Sequence, residues 1–465
     1  MAGSRSNSGL LVALQRDGRV PLHRQIEASI RDAIQSGSLP LGAVLPPSRM
    51  LAADLGVSRG VVVEAYQQLT AEGYLAGRVG GRTEVATGQA APTAVVRKAR
   101  PDPAPIDLTY GRADLSNFPR AAWLRSVRDV LTDAPNDLFG YLAGAGTPQV
   151  RMTLADYLNR VRGTVADPER IVITNGYAQG IALLIQILAA RGARRIALED
   201  PSSGDDALPV ARAAGLDVAG VPVDENGIRV DVLIESDADA VILTPSHQWP
   251  TGAVLSAENR AAILRWAARR RAIVIEDDYD AEYRYDRAPI GAMQGLAPEH
   301  VVYAGSASKT LAPGLRLGWF LLPGHLAGPM ADAKIAADRG SPALEQLVLA
   351  DFIARGEFDR HLRRMRPVYR RRRDALLAAL TRRLPALIPV GISAGTHLVT
   401  WLPPGLDESA VVKAAYQAGV GVEGVGPYRL TPSDTGGLIF GFATVNETAI
   451  AEGVDLIGDV IDAMS

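Results

Sequence analysis

The sequence contains no cysteine. Disulfides, thiolate nucleophiles and zinc sites with cysteine ligands are therefore excluded. The sequence also has no apolar run of about 18 residues, the length that a membrane-spanning helix needs, and its first residues lack the apolar core of a secretory signal. These absences predict a cytoplasmic protein with no membrane partner.

An excess of charge of either sign is also missing, since 49 Lys and Arg residues stand against 51 Asp and Glu residues. Global charge therefore gives no sign of a nucleic acid partner, and any basic surface must be local. With 465 residues, the chain is too long for one ordinary core and predicts two or three domains.

Residues 10–86 are predicted to form a compact helical domain that ends in a hairpin. Four apolar residues at i+4 spacing line one face of its first helix: Leu22, Ile26, Ile30 and Ile34. A second helix follows Ser48 and stops at Gly56, and a third runs from near Ser58 to Gly73. Two short strands, 74–76 and 83–85, complete the predicted domain.

The second and third helices have the layout of a helix-turn-helix, whose second helix enters the major groove by its N-terminal end. At that end Ser58 can bond a phosphate, and Arg59 can reach a phosphate or a base edge. Arg49 stands at the start of the preceding helix, and Gly80 and Arg82 lie at a basic tip between the two strands. An ordinary three-helix bundle with solvated arginines is the alternative at this point.

After a proline-containing linker predicted at 87–105, residues 106–465 change in texture. Short apolar runs alternate with helical stretches, and each run is followed by Gly, Pro, Asp or Ser: 170–173, 196–198, 240–243, 273–275 and 301–303. This alternation is typical of strands that are buried on both faces and joined by helices. We predict an α/β domain with a mostly parallel sheet, whose ligand site lies beyond the carboxyl ends of the strands.

The segment Ser306-Ala307-Ser308-Lys309 follows one of these runs, and Arg316 lies seven residues on. A lysine amine forms a Schiff base with the aldehyde of pyridoxal 5′-phosphate (PLP), and hydroxyl residues with an arginine can hold its phosphate. A lone lysine would more often be a solvated side chain. Here its neighbours are small, which favours the PLP interpretation.

Asp277 and Tyr279 follow another predicted strand. A carboxylate that faces the pyridine nitrogen of PLP keeps it protonated, and a tyrosine can donate to the ring hydroxyl. Paired acids after a strand could instead bind a metal. No histidine stands beside them in the sequence and Lys309 lies downstream, so PLP is preferred and no metal is expected.

Two further turns follow predicted strands. Gly176, Tyr177 and Ala178 lie between a strand and a helix, where backbone N–H groups make a phosphate cup. His247 lies in the turn 244–252 and is assigned to the same site, with a structural rather than a catalytic role.

Taken together, these motifs resemble a known family. Residues 21–75 resemble the GntR-family winged helix nearly end to end, and residues 106–462 resemble a fold-type I aminotransferase. The chain thus resembles the MocR/GabR regulators over nearly its whole length. The resemblance implies an all-α winged helix-turn-helix joined to an α/β aminotransferase-like domain, a homodimer, a double-stranded DNA operator and PLP as the cofactor. A small-molecule amine or PLP itself would be the effector.

The same resemblance implies the role of each residue. Lys309 would carry the Schiff base, Asp277 would face the ring nitrogen and Tyr279 would bond the ring hydroxyl. Tyr141 would reach the phosphate of the partner subunit. The phosphate would be held by Gly176, Tyr177, Ala178, Ser306, Ser308 and Arg316. The DNA contacts would be Arg49, Ser58, Arg59 and the tip with Gly80 and Arg82.

The sequence departs from the family pattern in the effector region. Ser203 stands where an aromatic residue usually stacks on the PLP ring, and Tyr177 is the candidate substitute. Members that sense γ-aminobutyrate hold its carboxylate with two arginines, which here fall near Asp205 and Phe440. Trp249 replaces an asparagine that is usual in the enzymes. We therefore predict a weak response to γ-aminobutyrate.

Three functions remain open from the sequence. The first is a PLP-dependent transcriptional regulator. The second is a true aminotransferase with an incidental N-terminal domain. The third is a PLP-binding protein without chemistry, in which PLP is the signal.

Overall fold

The computed structural model describes residues 13–16, 19–77, 82–87, 104–111, 113–202, 204, 206–285, 290–391 and 394–464. The chain divides into two compact units, Met1–Pro101 and Asp102–Ser465. Gly80, Ser203 and Asp205 lie outside the described residues. The domain limits drawn from the sequence stay predictions.

The first unit contains the three predicted helices and the two short strands. They are α1 (Leu22–Gln35), α2 (Ser48–Leu55), α3 (Arg59–Ala71), β1 (Leu75–Ala76) and β2 (Glu84–Val85), with β1 and β2 antiparallel. Gly56 ends α2 with a φ of 61°, in the left-handed region that glycine adopts without strain. Arg16 then donates from Nη2 to the carbonyls of Leu55 and Gly56, at 3.0 Å each, and satisfies the end of α2.

The core of the first unit follows the spacing read from α1. Ile26, Ile30 and Ile34 are buried and pack against Val62 and Leu69 of α3. The fourth residue of the pattern, Leu22, is half-buried. This core contains residues of the first unit alone.

The second unit is built on an eight-stranded sheet with the order β4-β11-β10-β9-β8-β5-β6-β7. Its strands are β4 (Ile171–Thr174), β5 (Arg195–Asp200), β6 (Asp217–Asp224), β7 (Gly227–Ile228), β8 (Ala240–Leu243), β9 (Ile273–Asp277), β10 (Val301–Ser306) and β11 (Gly318–Leu321). All run in one direction except β7 and β11. The mostly parallel sheet is therefore confirmed, and the carboxyl ends of β4, β8, β9 and β10 meet at one edge.

Helices cover both faces of this sheet. The helices of the second unit are α4 (Arg120–Asp133), α5 (Pro148–Arg162), α6 (Tyr177–Ala190), α7 (Ala207–Ala213), α8 (Val230–Glu235), α9 (Ala257–Arg270), α10 (Gly324–Asp338), α11 (Ala343–Ala354), α12 (Glu357–Arg383), α13 (Glu408–Gln417) and α14 (Glu447–Met464). Within β9, Ile275 packs towards α6, α7 and α10, whereas Val274 packs towards α8 and α9. Alternate residues thus fill two apolar layers, which explains why the strands are apolar throughout.

Two smaller sheets complete the second unit. The four-stranded sheet has the order β12-β13-β16-β15, from β12 (Pro389–Val390), β13 (His397–Trp401), β15 (Glu423–Gly424) and β16 (Gly437–Gly441). The other pairs β3 (Ile106–Asp107) in parallel with β14 (Val420–Gly421). No helix in the described part of the chain is long and apolar enough to cross a membrane.

The separate core of the first unit allows a test of its independence. Ile30 is fully buried, so Ile30→Ala should cost about 2–5 kcal/mol of the free energy of unfolding of this unit. Thermal denaturation should then show an early transition for the first unit, with the transition of the second unit unchanged. Leu41, which is 64% exposed, provides the control Leu41→Ala. A single transition that moves as a whole would contradict two separate cores.

Candidate functional site

Lys309 lies just beyond the end of β10, at the edge where the parallel strands end. Its Nζ donates to the carbonyl of Gly111 at 2.8 Å and lies 4.6 Å from the centroid of the Tyr110 ring. Burial lowers the pKa of Lys309 below its ordinary value of 10.5, although nearby carboxylates oppose that shift. A depressed pKa makes a lysine amine a better nucleophile near neutral pH.

Asp277 is the last residue of β9, the strand that pairs in parallel with β10. The side chain is buried, and no hydrogen bond to its carboxylate comes from the described residues. Burial and the neighbouring charge of Asp278 raise the pKa of Asp277 well above its ordinary value, while the charge of Lys309 lowers it. Such a carboxylate would gain from a cationic hydrogen-bond donor.

A concave backbone surface lies where β4 passes into α6. Gly176 has a φ of 80°, and a Cβ there would meet Nη2 of Arg316 at 2.7 Å. Arg316 also donates to the carbonyl of Asn175 at 2.6 Å, and no side chain caps the first turn of α6. Tyr177 and Ala178 open that helix, and Ser306 and Ser308 are half-buried at the end of β10. Free helix N–H groups beside a guanidinium fit a phosphate dianion.

Tyr279 contacts a histidine, and that histidine contacts an aspartate. Its hydroxyl donates to the carbonyl of His247 at 2.9 Å, and Nδ1 of His247 lies 3.0 Å from Oδ2 of Asp280. His247, Asp280 and His397 each offer one atom that could bind a metal, and these atoms lie within 4.8 Å of one another. A histidine therefore does contact the acidic segment, which the order of residues in the sequence does not reveal. The structural role of His247 stays a prediction.

The residue after Asp277, Asp278, forms a buried ion pair that sequence reasoning did not predict. Nε of Arg162, the last residue of α5, lies 2.7 Å from Oδ2 of Asp278, and both side chains are almost fully buried. Tyr303 donates to the same carboxylate oxygen at 2.7 Å, and Nη2 of Arg162 reaches Oγ of Ser246 at 3.2 Å. Arg162 and Asp278 are 116 positions apart in sequence, so no local sequence pattern indicates this pair.

Aromatic rings line the space beside Lys309. Trp249 is buried and lies 5.5 Å from Tyr110 and 4.3 Å from Tyr428, measured between ring centroids. The indole nitrogen of Trp249 has no hydrogen-bond partner among the described residues. Tyr177 stacks on Phe320 at 6.1 Å, which leaves its role towards a cofactor ring a prediction.

Two residues named from the resemblance lie away from this space. Tyr141 is 95% exposed on the second unit. Phe440 is fully buried in the core formed with α12 and α14, whereas its neighbour Ile439 packs with Trp249. Because successive strand residues face opposite sides, Ile439 rather than Phe440 is the residue of β16 on the side of the site.

These observations fit PLP. The structure offers a half-buried lysine, a buried carboxylate that receives no hydrogen bond from the described residues, and a helix N-terminus beside a guanidinium, all at one edge of the sheet. They match the amine-reactive aldehyde, the pyridine nitrogen and the phosphate of that cofactor, respectively. The individual assignments remain predictions.

In the first unit the predicted DNA contacts are at the surface. Arg49, Ser58, Arg59 and Arg82 are exposed, and Nε of Arg59 lies 3.4 Å from Oγ of Ser48. Ser58 precedes α3, but its hydroxyl does not cap that helix. The hydroxyl and the first N–H groups of α3 are thus available to a phosphate.

Comparison with known proteins gives matches to both units. Residues 22–85 match the profile of the gntR family of bacterial regulatory proteins, and residues 105–456 match aminotransferase class I and II. The probable rhizopine catabolism regulatory protein MocR of Rhizobium meliloti is 32% identical, covering 96% of this chain and 94% of that protein. The pyridoxine biosynthesis transcriptional regulator PdxR of Corynebacterium glutamicum is 31% identical, covering 98% and 99%.

Solved structures match the second unit. One is LysN, an α-aminoadipate aminotransferase of Thermus thermophilus, solved in complex with N-(5′-phosphopyridoxyl)-L-leucine. It is 27% identical with a TM-score of 0.70, and the match covers 77% of this chain and 92% of that chain.

Glu199, near the carboxyl end of β5, makes the stability of the protein depend on pH. It is buried and accepts hydrogen bonds from the backbone N–H of Thr244 at 3.0 Å and from its hydroxyl at 2.6 Å. Burial raises the pKa of Glu199 to about 7 from an ordinary value of 4.5. Between these two pH values the folded protein keeps a proton that the unfolded chain has released. The contribution of Glu199 to the free energy of unfolding therefore falls as pH rises through this window.

We expect Glu199→Gln to remove that contribution. From pH 4.5 to 7, wild type should lose up to about 3 kcal/mol relative to the variant, as measured by urea unfolding of the cofactor-free protein. Glutamine keeps an oxygen that can accept from Thr244. The exposed Glu225 provides the control Glu225→Gln, which should keep the wild-type profile. Parallel curves for wild type and Glu199→Gln would show that Glu199 ionises normally.

Proposed function

The chain belongs to the MocR-type regulators, in which a GntR-family helix-turn-helix is joined to an aminotransferase class I and II domain, and from that membership we propose how its two sites work. The first unit binds an operator in double-stranded DNA, and the second holds PLP as the group that senses the effector. The observation that carries the proposal is the placement of Lys309 beside Asp277, a buried carboxylate for which the protein supplies no hydrogen-bond donor among the described residues.

Lys309 would hold the cofactor through Nζ, and Asp277 would keep a proton on its ring nitrogen. When bound, PLP supplies an aldehyde that reacts with amines and a ring that accepts electrons. Tyr279, positioned by His247 and Asp280, presents its hydroxyl to the oxygen on the ring. The first turn of α6 and Arg316 would hold the phosphate, together with Ser306 and Ser308.

Regulation is favoured over transamination as the main function. The matches over nearly the full length are to transcriptional regulators, and an enzyme has no use for exposed arginines at the start of two helices of a helix-turn-helix. PLP itself is one candidate effector, since the name of one relative refers to pyridoxine biosynthesis. Transamination remains a second candidate, because Lys309 and Asp277 are both present.

We further propose a homodimer. Apolar residues of the second unit are exposed near α4, α5 and the segment between them: Leu124 at 57%, Leu131 at 55%, Phe139 at 47%, Tyr141 at 95% and Met152 at 51%. Exposed apolar groups of this size favour burial against another chain. A second copy of the chain would cover them and bring Tyr141 to the phosphate of its partner.

Lys309→Ala should abolish covalent loading while leaving the fold intact, because the side chain makes one hydrogen bond to a backbone carbonyl. Borohydride reduction of the PLP-loaded wild type, followed by mass spectrometry of peptides, should place the adduct on Lys309. Lys413→Ala, at an exposed lysine, should load as wild type does. An adduct on another lysine would overturn the assignment.

Arg59→Ala should weaken binding to operator DNA at fixed salt without changing the visible spectrum of the loaded cofactor. A bidentate contact to a base contributes roughly 1–3 kcal/mol, or about five- to 150-fold in affinity. Arg265→Ala removes the same charge from an exposed position on α9 and should bind as wild type does. Equal affinities for the wild type and Arg59→Ala would exclude Arg59 from the DNA contacts.

A further inference from the structure

Glu423 lies in β15 of the four-stranded sheet. In the smaller sheet its Cα pairs with that of Ile439, and paired residues of antiparallel strands present their side chains on the same face. Ile439 packs in a cluster with Trp249, and Tyr110 and Tyr279 pack against that cluster. The carboxylate at position 423 is therefore on the face that looks towards Lys309.

Contacts between aromatic rings connect Glu423 with Lys309. The Tyr110 ring lies 4.6 Å from Nζ of Lys309 and 5.5 Å from the Trp249 ring. Trp249 in turn lies 4.3 Å from Tyr428, whose hydroxyl donates to Oε2 of Glu423 at 3.0 Å. The lysine and the carboxylate thus lie at two ends of one aromatic wall, formed by Tyr110, Trp249 and Tyr428.

The charges around Lys309 point the same way. The carboxylates that raise its pKa, against the larger effect of burial, belong to Asp280, Asp277, Glu423 and Asp206. Asp280 contacts His247, and Asp277 is assigned to the cofactor ring. The charge of Glu423 also raises the pKa of Tyr110, after burial and the charges of Asp280 and Asp277. The end of the aromatic wall far from Lys309 therefore carries negative charge. A site that binds a carboxylate there would need positive charge instead.

We propose that Glu423 selects the effector by binding a positive charge at its far end, so that the site takes a short compound with two amino groups. One amino group reaches the cofactor on Lys309, and the second contacts Glu423. The aromatic wall covers the carbon chain between them, since rings pack against methylenes and attract ammonium groups. The hydroxyl of Tyr428 donates to Oε2 of Glu423 and orients the carboxylate. The proposal rests on the proposed function, because it needs the cofactor on Lys309.

Three four-carbon amines that differ at one end test this proposal. The PLP-loaded protein is titrated with butylamine, 1,4-diaminobutane and γ-aminobutyrate, followed by the visible absorption of the cofactor and by calorimetry. We expect 1,4-diaminobutane to bind at least about tenfold more tightly than butylamine, which is the size of one charge-assisted hydrogen bond. γ-Aminobutyrate should bind more weakly than butylamine, because its carboxylate would meet Glu423.

Variants assign the effect to one carboxylate. Glu423→Gln should remove the preference for 1,4-diaminobutane and leave the affinity for butylamine unchanged. Glu452→Gln, at an exposed residue of α14, should keep the preference. Tyr428→Phe removes the hydrogen bond that orients Glu423 and should reduce the preference. This variant keeps the test open if Glu423→Gln does not load the cofactor.

The outcomes separate the two proposals. A loaded protein that binds butylamine and 1,4-diaminobutane equally overturns the role of Glu423 and leaves the proposed function standing. The same holds if γ-aminobutyrate binds most tightly, in which case Arg429, whose guanidinium carbon lies 5.6 Å from the centroid of the Trp401 ring, becomes the residue to examine. A protein that takes up no PLP on Lys309 overturns both.

Discussion

The burial of several carboxylates away from solvent is the constraint on which this site depends. Five acidic residues lie between positions 276 and 282, and all are buried: Glu276, Asp277, Asp278, Asp280 and Glu282. A buried charge costs free energy unless a partner compensates it. Glu276 accepts from the backbone of Met293 and Gln294, Asp278 pairs with Arg162, and Asp280 contacts His247. Of these four residues, Asp277 is the one whose carboxylate receives no hydrogen bond from the described part of the chain.

The compensation of those charges also organises the fold. Arg162 comes from the end of α5, and burial lowers its pKa less than the charges of Asp278 and its neighbours raise it. It remains a cation under all ordinary conditions and ties α5 to β9 and to the turn that carries His247 through Ser246. The elements that carry Asp277, Tyr279 and His247 are thereby held by one guanidinium, and a buried charge pair of this kind favours one arrangement over its alternatives.

Much of the fold could be predicted because apolar periodicity is local. The i+4 spacing of α1 and the buried runs of β8, β9 and β10 are visible within a few residues, and parallel strands bring their carboxyl ends together. Lys309, Asp277 and Gly176 follow from that rule. The contacts of Arg162 with Asp278 and of His247 with Asp280 join distant segments, so no local pattern reveals them. The side of β16 that faces the site depends on strand register, and a shift of one residue exchanges Phe440 for Ile439.

The hydrogen bond from Lys309 to Gly111 connects the cofactor site with the beginning of the second unit. Gly111 follows β3, the first strand of that unit, which is held by its parallel pairing with β14. A group bound covalently at Nζ would leave fewer N–H donors for the Gly111 carbonyl. The contact that fixes the amine of Lys309 therefore also holds the segment that follows the first described strand of the second unit.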